Sequence, residues 1–171
     1  MLLKQKQTQG EMLYNYLSSF ALLFGAILVS RFIGLPDNFT PVLASAIFIP
    51  QLISNRLTQV LFPLSVLFLS DIVIGFYSVM PIVYLCMGLA PIISSFNKNI
   101  YVSGALSVLV WHVAVNGAVY VTGHGFAPFT TEAMMFDMRL LVSTMLFLAL
   151  FDGVKMFFNK FIQLKDNLTI H

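Results

Sequence analysis

Apolar residues in this chain come in long blocks with polar residues gathered between them, rather than alternating or recurring every third or fourth position. Blocks of about 20 residues suit helices that cross ~30 Å of hydrocarbon at 1.5 Å per residue. Six can be marked, at 14–33, 41–53, 58–76, 80–96, 100–121 and 134–158. The second is weak, because roughly 13 to 16 residues reach only ~20 to 24 Å. Its start is well marked: Thr40 is placed to cap it, and Pro41 suits a first helical position that needs no backbone donor. Pro50, Pro63, Pro81 and Pro91 predict kinks or helix starts. The pattern predicts an all-α membrane protein with six transmembrane helices, forming a single integral membrane domain over residues 1–171.

Composition agrees with the pattern. Hydrophobic residues make up 58% of the chain and charged residues 9%, against roughly 25% charged in soluble domains. The net charge of +2 arises without a basic run long enough to follow a nucleic-acid backbone, so nucleic acid is not an expected partner. Basic residues set the orientation. Lys4, Lys6, Arg56, Lys98, Lys155, Lys160 and Lys165 all fall at one face of a six-span chain, and only Arg31 and Arg139 fall at the other. An excess of Lys and Arg marks the cytoplasmic side, which places both termini there. Lys4 and Lys6 precede an apolar run too long for a secretory signal and lacking a small-residue cleavage site, so it reads as an uncleaved first helix. The external loops are then 34–40, a tight turn at 77–79, and 122–133, which carries His124, Pro128 and Glu132 and is the candidate lid.

Polar groups inside the blocks change the picture most. A charge at the centre of a membrane helix costs on the order of 2.5 to 3.5 kcal/mol, so such groups face the bundle interior or a wet cavity and find partners. Asp71 lies in the outer third of the third block, Arg31 at the outer end of the first, and Asp137 and Arg139 at the outer end of the sixth. Tyr84 lies in the outer half of the fourth block. His112 and Asn116, four apart in the fifth, share a helix face. One reading is a polar cavity open to the outside, built from Arg31, Asp71, Tyr84, His112, Asn116 and Arg139. The other is an interhelical clamp in which Asp71 pairs with Arg31 or Arg139 and nothing else binds. Gly75, one turn above Asp71, is read as allowing a neighbour or ligand to come close. Trp111 and Tyr120 read as packing or interfacial anchors.

The remaining candidates are plainer. Asp152 and Lys155, three apart, are expected to form a local ion pair. The single cysteine, Cys86, reads as a small packing residue, and no Cys/His spacing suggests a metal site. No cofactor is implied. Small residues four apart, Ala21 with Gly25, Ala26 with Ser30 and Ala114 with Ala118, permit close helix packing or a partner surface. The chain carries no H-E-x-x-H, G-x-S-x-G or phosphate-binding G-x-x-x-x-G-K-[ST] motif, so an enzyme is not expected.

The segments LPDNFTPVLASAIF (35–48), FPLSVLFLSDIVIGFY (62–77), MPIVYL (80–85) and LVWHVAVNGAVYV (109–121) together resemble a small, uncharacterised bacterial membrane family of inferred transport proteins. That family is similar to the substrate-binding S-components of energy-coupling-factor (ECF) vitamin transporters. The resemblance covers roughly residues 30–158 and rests most on NFTP and SD-x-x-x-G. It implies a six-helix S-component-like bundle in the bacterial cytoplasmic membrane. Such a bundle captures a vitamin-like nutrient from outside and meets an energising transmembrane and ATPase module through small-residue surfaces. The positions it matches are Asn38, Thr40, Pro41, Ser70, Asp71, Gly75, Tyr84 and Asn116, which adds Asn38 to the expected substrate-binding residues.

Overall fold

The computed structural model describes residues 21, 23–123 and 130–168, except for the side chains of 158, 159 and 161–168. The first part of the first expected span, the centre of the 122–133 loop with His124 and Pro128, and Lys4 and Lys6 lie outside these residues, as does the side chain of Lys165. Among the described residues the chain is all helical: α1 (residues 23–30), α2 (Val42–Phe48), α3 (Arg56–Ile74), α4 (Met80–Phe96), α5 (Ile100–Val121) and α6 (Thr131–Leu168). A 3₁₀ turn, Ile49–Gln51, extends α2.

Local chemistry sets the boundaries. Thr40 Oγ1 accepts from the Val42 amide at 3.3 Å, but the N-cap position of α2 falls on Pro41, one residue later than expected. Asn55 caps α3 by accepting from Thr58 N, and Asn99 caps α5 by accepting from the amides of Tyr101 and Val102. Pro81 sits in the first turn of α4. Pro63 and Pro91 lie inside α3 and α4, where both are buried in the bundle. α3 ends at Gly75, whose φ of 112° and ψ of 156° lie in a region open essentially to glycine alone. A Cβ built there would meet nothing within 4 Å, so this glycine serves the backbone turn and not a close approach.

α2 departs most from expectation. With its 3₁₀ turn it covers Val42–Gln51, or only ~15 Å. All seven residues of Val42–Phe48 are buried. It packs against α3, α4, α5 and α6 together, and Ala44, Ser45 and Ala46 leave room for those neighbours. The second block is therefore a core plug sheathed by protein.

The outer surface is apolar. Three helical segments, Arg56–Ile74, Ile100–Val121 and Thr131–Phe157, are long and apolar enough to cross a membrane, with mean hydropathies of 2.0, 1.6 and 1.8. Most of each faces outward: Leu61, Phe68, Ile72 and Val73 on α3, Leu106, Leu109 and Val113 on α5, and Met138, Val142 and Leu146 on α6 are all exposed. An apolar exterior on long helices is the character of a helical membrane protein.

Of the small-residue pairs read from the sequence, Ala114 with Ala118 lies on a half-buried face of α5 with Ala114 packed against the core, whereas the pairs at α1 do not mark close packing. Ala21 and Ala26 are exposed, and a Cβ on Gly25 would meet nothing within 4 Å. The tight crossing is at Gly104 on α5, where an added Cβ would lie 2.9 Å from Leu148 Cδ1 and 3.1 Å from Met145 Cε of α6. Lys155 does not pair with Asp152. Its ammonium donates to Gln51 Oε1 at 2.6 Å and lies 5.8 Å from the Phe48 ring centroid, because the turn after α2 offers a better-placed acceptor and a π face.

Candidate functional site

Two buried carboxylates organise the end of the bundle where α3 finishes and α6 begins. Asp71, in the last turn of α3, is fully buried. Arg31, just past α1, donates from Nη2 to Asp71 Oδ1 at 3.1 Å and from Nε to Ser70 Oγ at 3.2 Å. Tyr84 of α4 donates its hydroxyl to Asp71 Oδ2 at 2.9 Å. The group thus joins α1, α3 and α4 around one acid, with both carboxylate oxygens engaged. Tyr77, in the turn between α3 and α4, has its pKa pushed up to about 12 by burial and by the nearby Asp71 charge, with Arg31 opposing. It is a neutral phenol at physiological pH.

The second acid, Asp137 on α6, was not singled out as a ligand residue from sequence. Its Oδ1 accepts from Asn38 Nδ2 at 3.2 Å, and its Oδ2 lies 2.8 Å from His112 Nδ1 and bonds Asn116 Nδ2. The two polar residues on one face of α5 thus find their partner on α6. Asn116 Nδ2 also lies 3.1 Å from His112 Nδ1. An imidazole nitrogen that donates to a carboxylate cannot also accept, so this distance reflects two donors sharing Asp137. Asn38 adopts φ 61°, a left-handed conformation that Asn tolerates better than most residues. Ser143 Oγ of α6 accepts from the Thr40 amide and lies within donating distance of the Asn38 carbonyl, and Phe39 packs edge-on against Phe147. The segment 34–41 is thereby tied to α6.

A cavity of about 640 Å³ lies between these clusters. Arg31 reaches it from the first and Asn38 from the second; Tyr77, Trp111, Phe136 and Met87 supply aromatic and apolar wall. Its volume suits a small organic ligand. Of the expected residues, Arg31 and Asn38 face the cavity; Tyr84 holds Asp71, which holds Arg31, and His112 and Asn116 hold Asp137, which in turn holds Asn38. Trp111, expected as a packing residue or interfacial anchor, is buried and lines the cavity.

Arg139 is the exception. It lies two residues beyond Asp137, ~200° further round the helix, so it projects away from the cluster. It lines a separate groove with Met134, Met135 and Met138.

A model of a family of unknown function, DUF6580, matches residues 13–164. The chain belongs to that family. No curated protein and no solved structure matches it. The match in this DUF6580 chain takes in both carboxylate clusters and every wall of the cavity. Among the described residues no group of three His, Cys, Asp or Glu side chains is arranged to hold a metal. Cys86 is free and buried, consistent with packing.

Proposed function

We propose that this protein is the substrate-binding membrane subunit of a nutrient uptake transporter, taking a vitamin-like small molecule into the cavity beside Arg31. The supporting observation is that the cavity holds one fixed cation among aromatic walls, with Asp37 as the acid in its lining. Arg31 keeps 23% of its side chain exposed while its partner Asp71 is fully covered, so Asp71 acts as a positioning residue and Arg31 as the ligand contact. A molecule with a flat or apolar body and an acceptor group directed at Arg31 fits this lining, with the Asn38 amide as a second polar contact. In this reading six helices lie in the bacterial cytoplasmic membrane with both termini inside, an S-component-like arrangement. The cavity opens outward, and an ATPase-bearing partner module supplies the energy.

Trp111 is the only tryptophan and lines the cavity, so the protein carries its own reporter. Mass spectrometry of protein purified from a vitamin-supplemented host is expected to identify a co-purifying small molecule. Adding that molecule back to emptied protein should shift Trp111 fluorescence, and Arg31→Gln should abolish the shift.

A second reading has an observation of its own. Asp71 and Asp137 are both satisfied within the bundle, as in an accessory protein whose intramembrane charges only clamp helices. Protein that purifies empty, with neither its melting temperature nor its Trp111 emission changed by any candidate nutrient, would favour the clamp.

A further inference from the structure

A second cavity, of about 680 Å³, lies at the other end of the bundle. It opens some 15 residues before Asp71 along α3, or ~22 Å away. Three cations line it: Arg56 at the start of α3, Lys98 in the turn between α4 and α5, and Lys155 of α6. Among the described residues, no acidic side chain lines it. Asp152 opens with Lys98 onto an adjoining cleft. Among the described residues, none of the three cations makes an ion pair.

The floor is built from buried polar side chains. Gln59, 5% exposed, donates from Nε2 to Ile53 O at 2.6 Å and accepts from Ser95 Oγ at 3.4 Å. Ser94 donates to Ile47 O at 2.6 Å. Lys155 is half-buried and held by Gln51, so one positive charge is fixed in place. α3 and α5 both begin at this cavity, adding the positive ends of two long helices. One large apolar side chain stands exposed among the polar ones at the mouth: Phe96 lines the cavity and is 84% exposed, and Leu57, next to Arg56 in sequence, is 67% exposed.

We propose that this cavity binds a phosphate group, supplied by the headgroup of an anionic phospholipid or by free phosphate. Three unpaired cations and two helix starts supply charge for a phosphate diester or monoester. The exposed phenyl ring at the mouth and the leucine beside Arg56 suit acyl chains, so the lipid source is the one expected. The proposal is independent of what the Arg31 cavity binds.

The test uses the full chain reconstituted in bilayers of equal parts phosphatidylglycerol and phosphatidylcholine, with retained lipid counted by native mass spectrometry. Wild type is expected to retain phosphatidylglycerol preferentially. Arg56→Gln combined with Lys98→Gln should weaken that retention by roughly tenfold or more, since each surface cation contributes appreciably. Lys98→Arg should preserve it. Both residues are exposed, and unchanged Trp111 emission checks folding. In a parallel arm, inorganic phosphate that raises the melting temperature above chloride at equal ionic strength, and displaces the lipid, would identify free phosphate as the source. Equal retention of the two lipids together with no phosphate-specific stabilisation would overturn the proposal. So would retention unchanged in the double variant.

Discussion

Asp71 and Asp137 are both buried carboxylates, satisfied by different means. Asp71 has a guanidinium and a phenol; Asp137 has two amides and an imidazole. Removing one partner of a buried ion pair leaves the other charge uncompensated, which typically costs about 3 to 5 kcal/mol. Asp71→Asn should therefore lower stability by about 3 kcal/mol, and Tyr84→Phe, which removes one hydrogen bond, by about 1 kcal/mol. Thermal unfolding in detergent measures the ranking; equal effects would mean that Arg31 finds another partner. Tyr77 gives a pH prediction. A phenol whose folded pKa of about 12 exceeds the unfolded value of about 10 contributes stability that is full below pH 10 and is lost as pH rises towards 12. Relative to wild type, Tyr77→Phe should remove that part of the alkaline loss, read as a flatter melting-temperature profile over this window.

Two glycines test different causes at the level of the helices. Gly75→Ala adds a side chain where there is space but where φ forbids it, so about 1 to 3 kcal/mol of strain is expected. Gly104→Val meets ordinary helical φ but a filled crossing, and should separate α5 from α6. Hydrogen exchange distinguishes the two: faster exchange confined to residues 72–80 for Gly75→Ala, and along both α5 and α6 for Gly104→Val. The contrast also shows what sequence could supply. Long apolar blocks with clear punctuation gave α3, α4 and α5 to within two residues, because hydropathy and capping act locally. Gly104 was not legible: its neighbours Met145 and Leu148 are about 40 residues away, and the small face of Ser103, Gly104 and Ser107 does not by itself say which helix packs on it. Likewise the shared face of His112 and Asn116 could be read from helical spacing, but Asp137 as their partner required the α5–α6 register. Arg139 departs from expectation because depth along a helix does not fix the angle about its axis.

For the whole molecule, the topology proposed above has a direct check. Ser78 and Asn97 flank α4. In a Cys86→Ala background, cysteines introduced at these two positions should react with an impermeant thiol reagent from opposite sides of the membrane, Ser78→Cys from outside and Asn97→Cys from inside. Reaction of both from one side would remove the six-span arrangement. The cavity near Arg31 and the basic cavity near Lys98 would then have to be reassigned to membrane faces.

The plug formed by α2 bears on how the chain is made. A helix of seven residues, buried on every side, has too little length to settle in lipid by its own hydrophobicity. Its walls include α4, α5 and α6, which leave the ribosome after it. Synthesis must therefore carry an unfinished second segment until the later helices close round it. A cysteine placed at Ala44 should stay reactive in nascent chains halted after α3 and become protected only when α6 has been added.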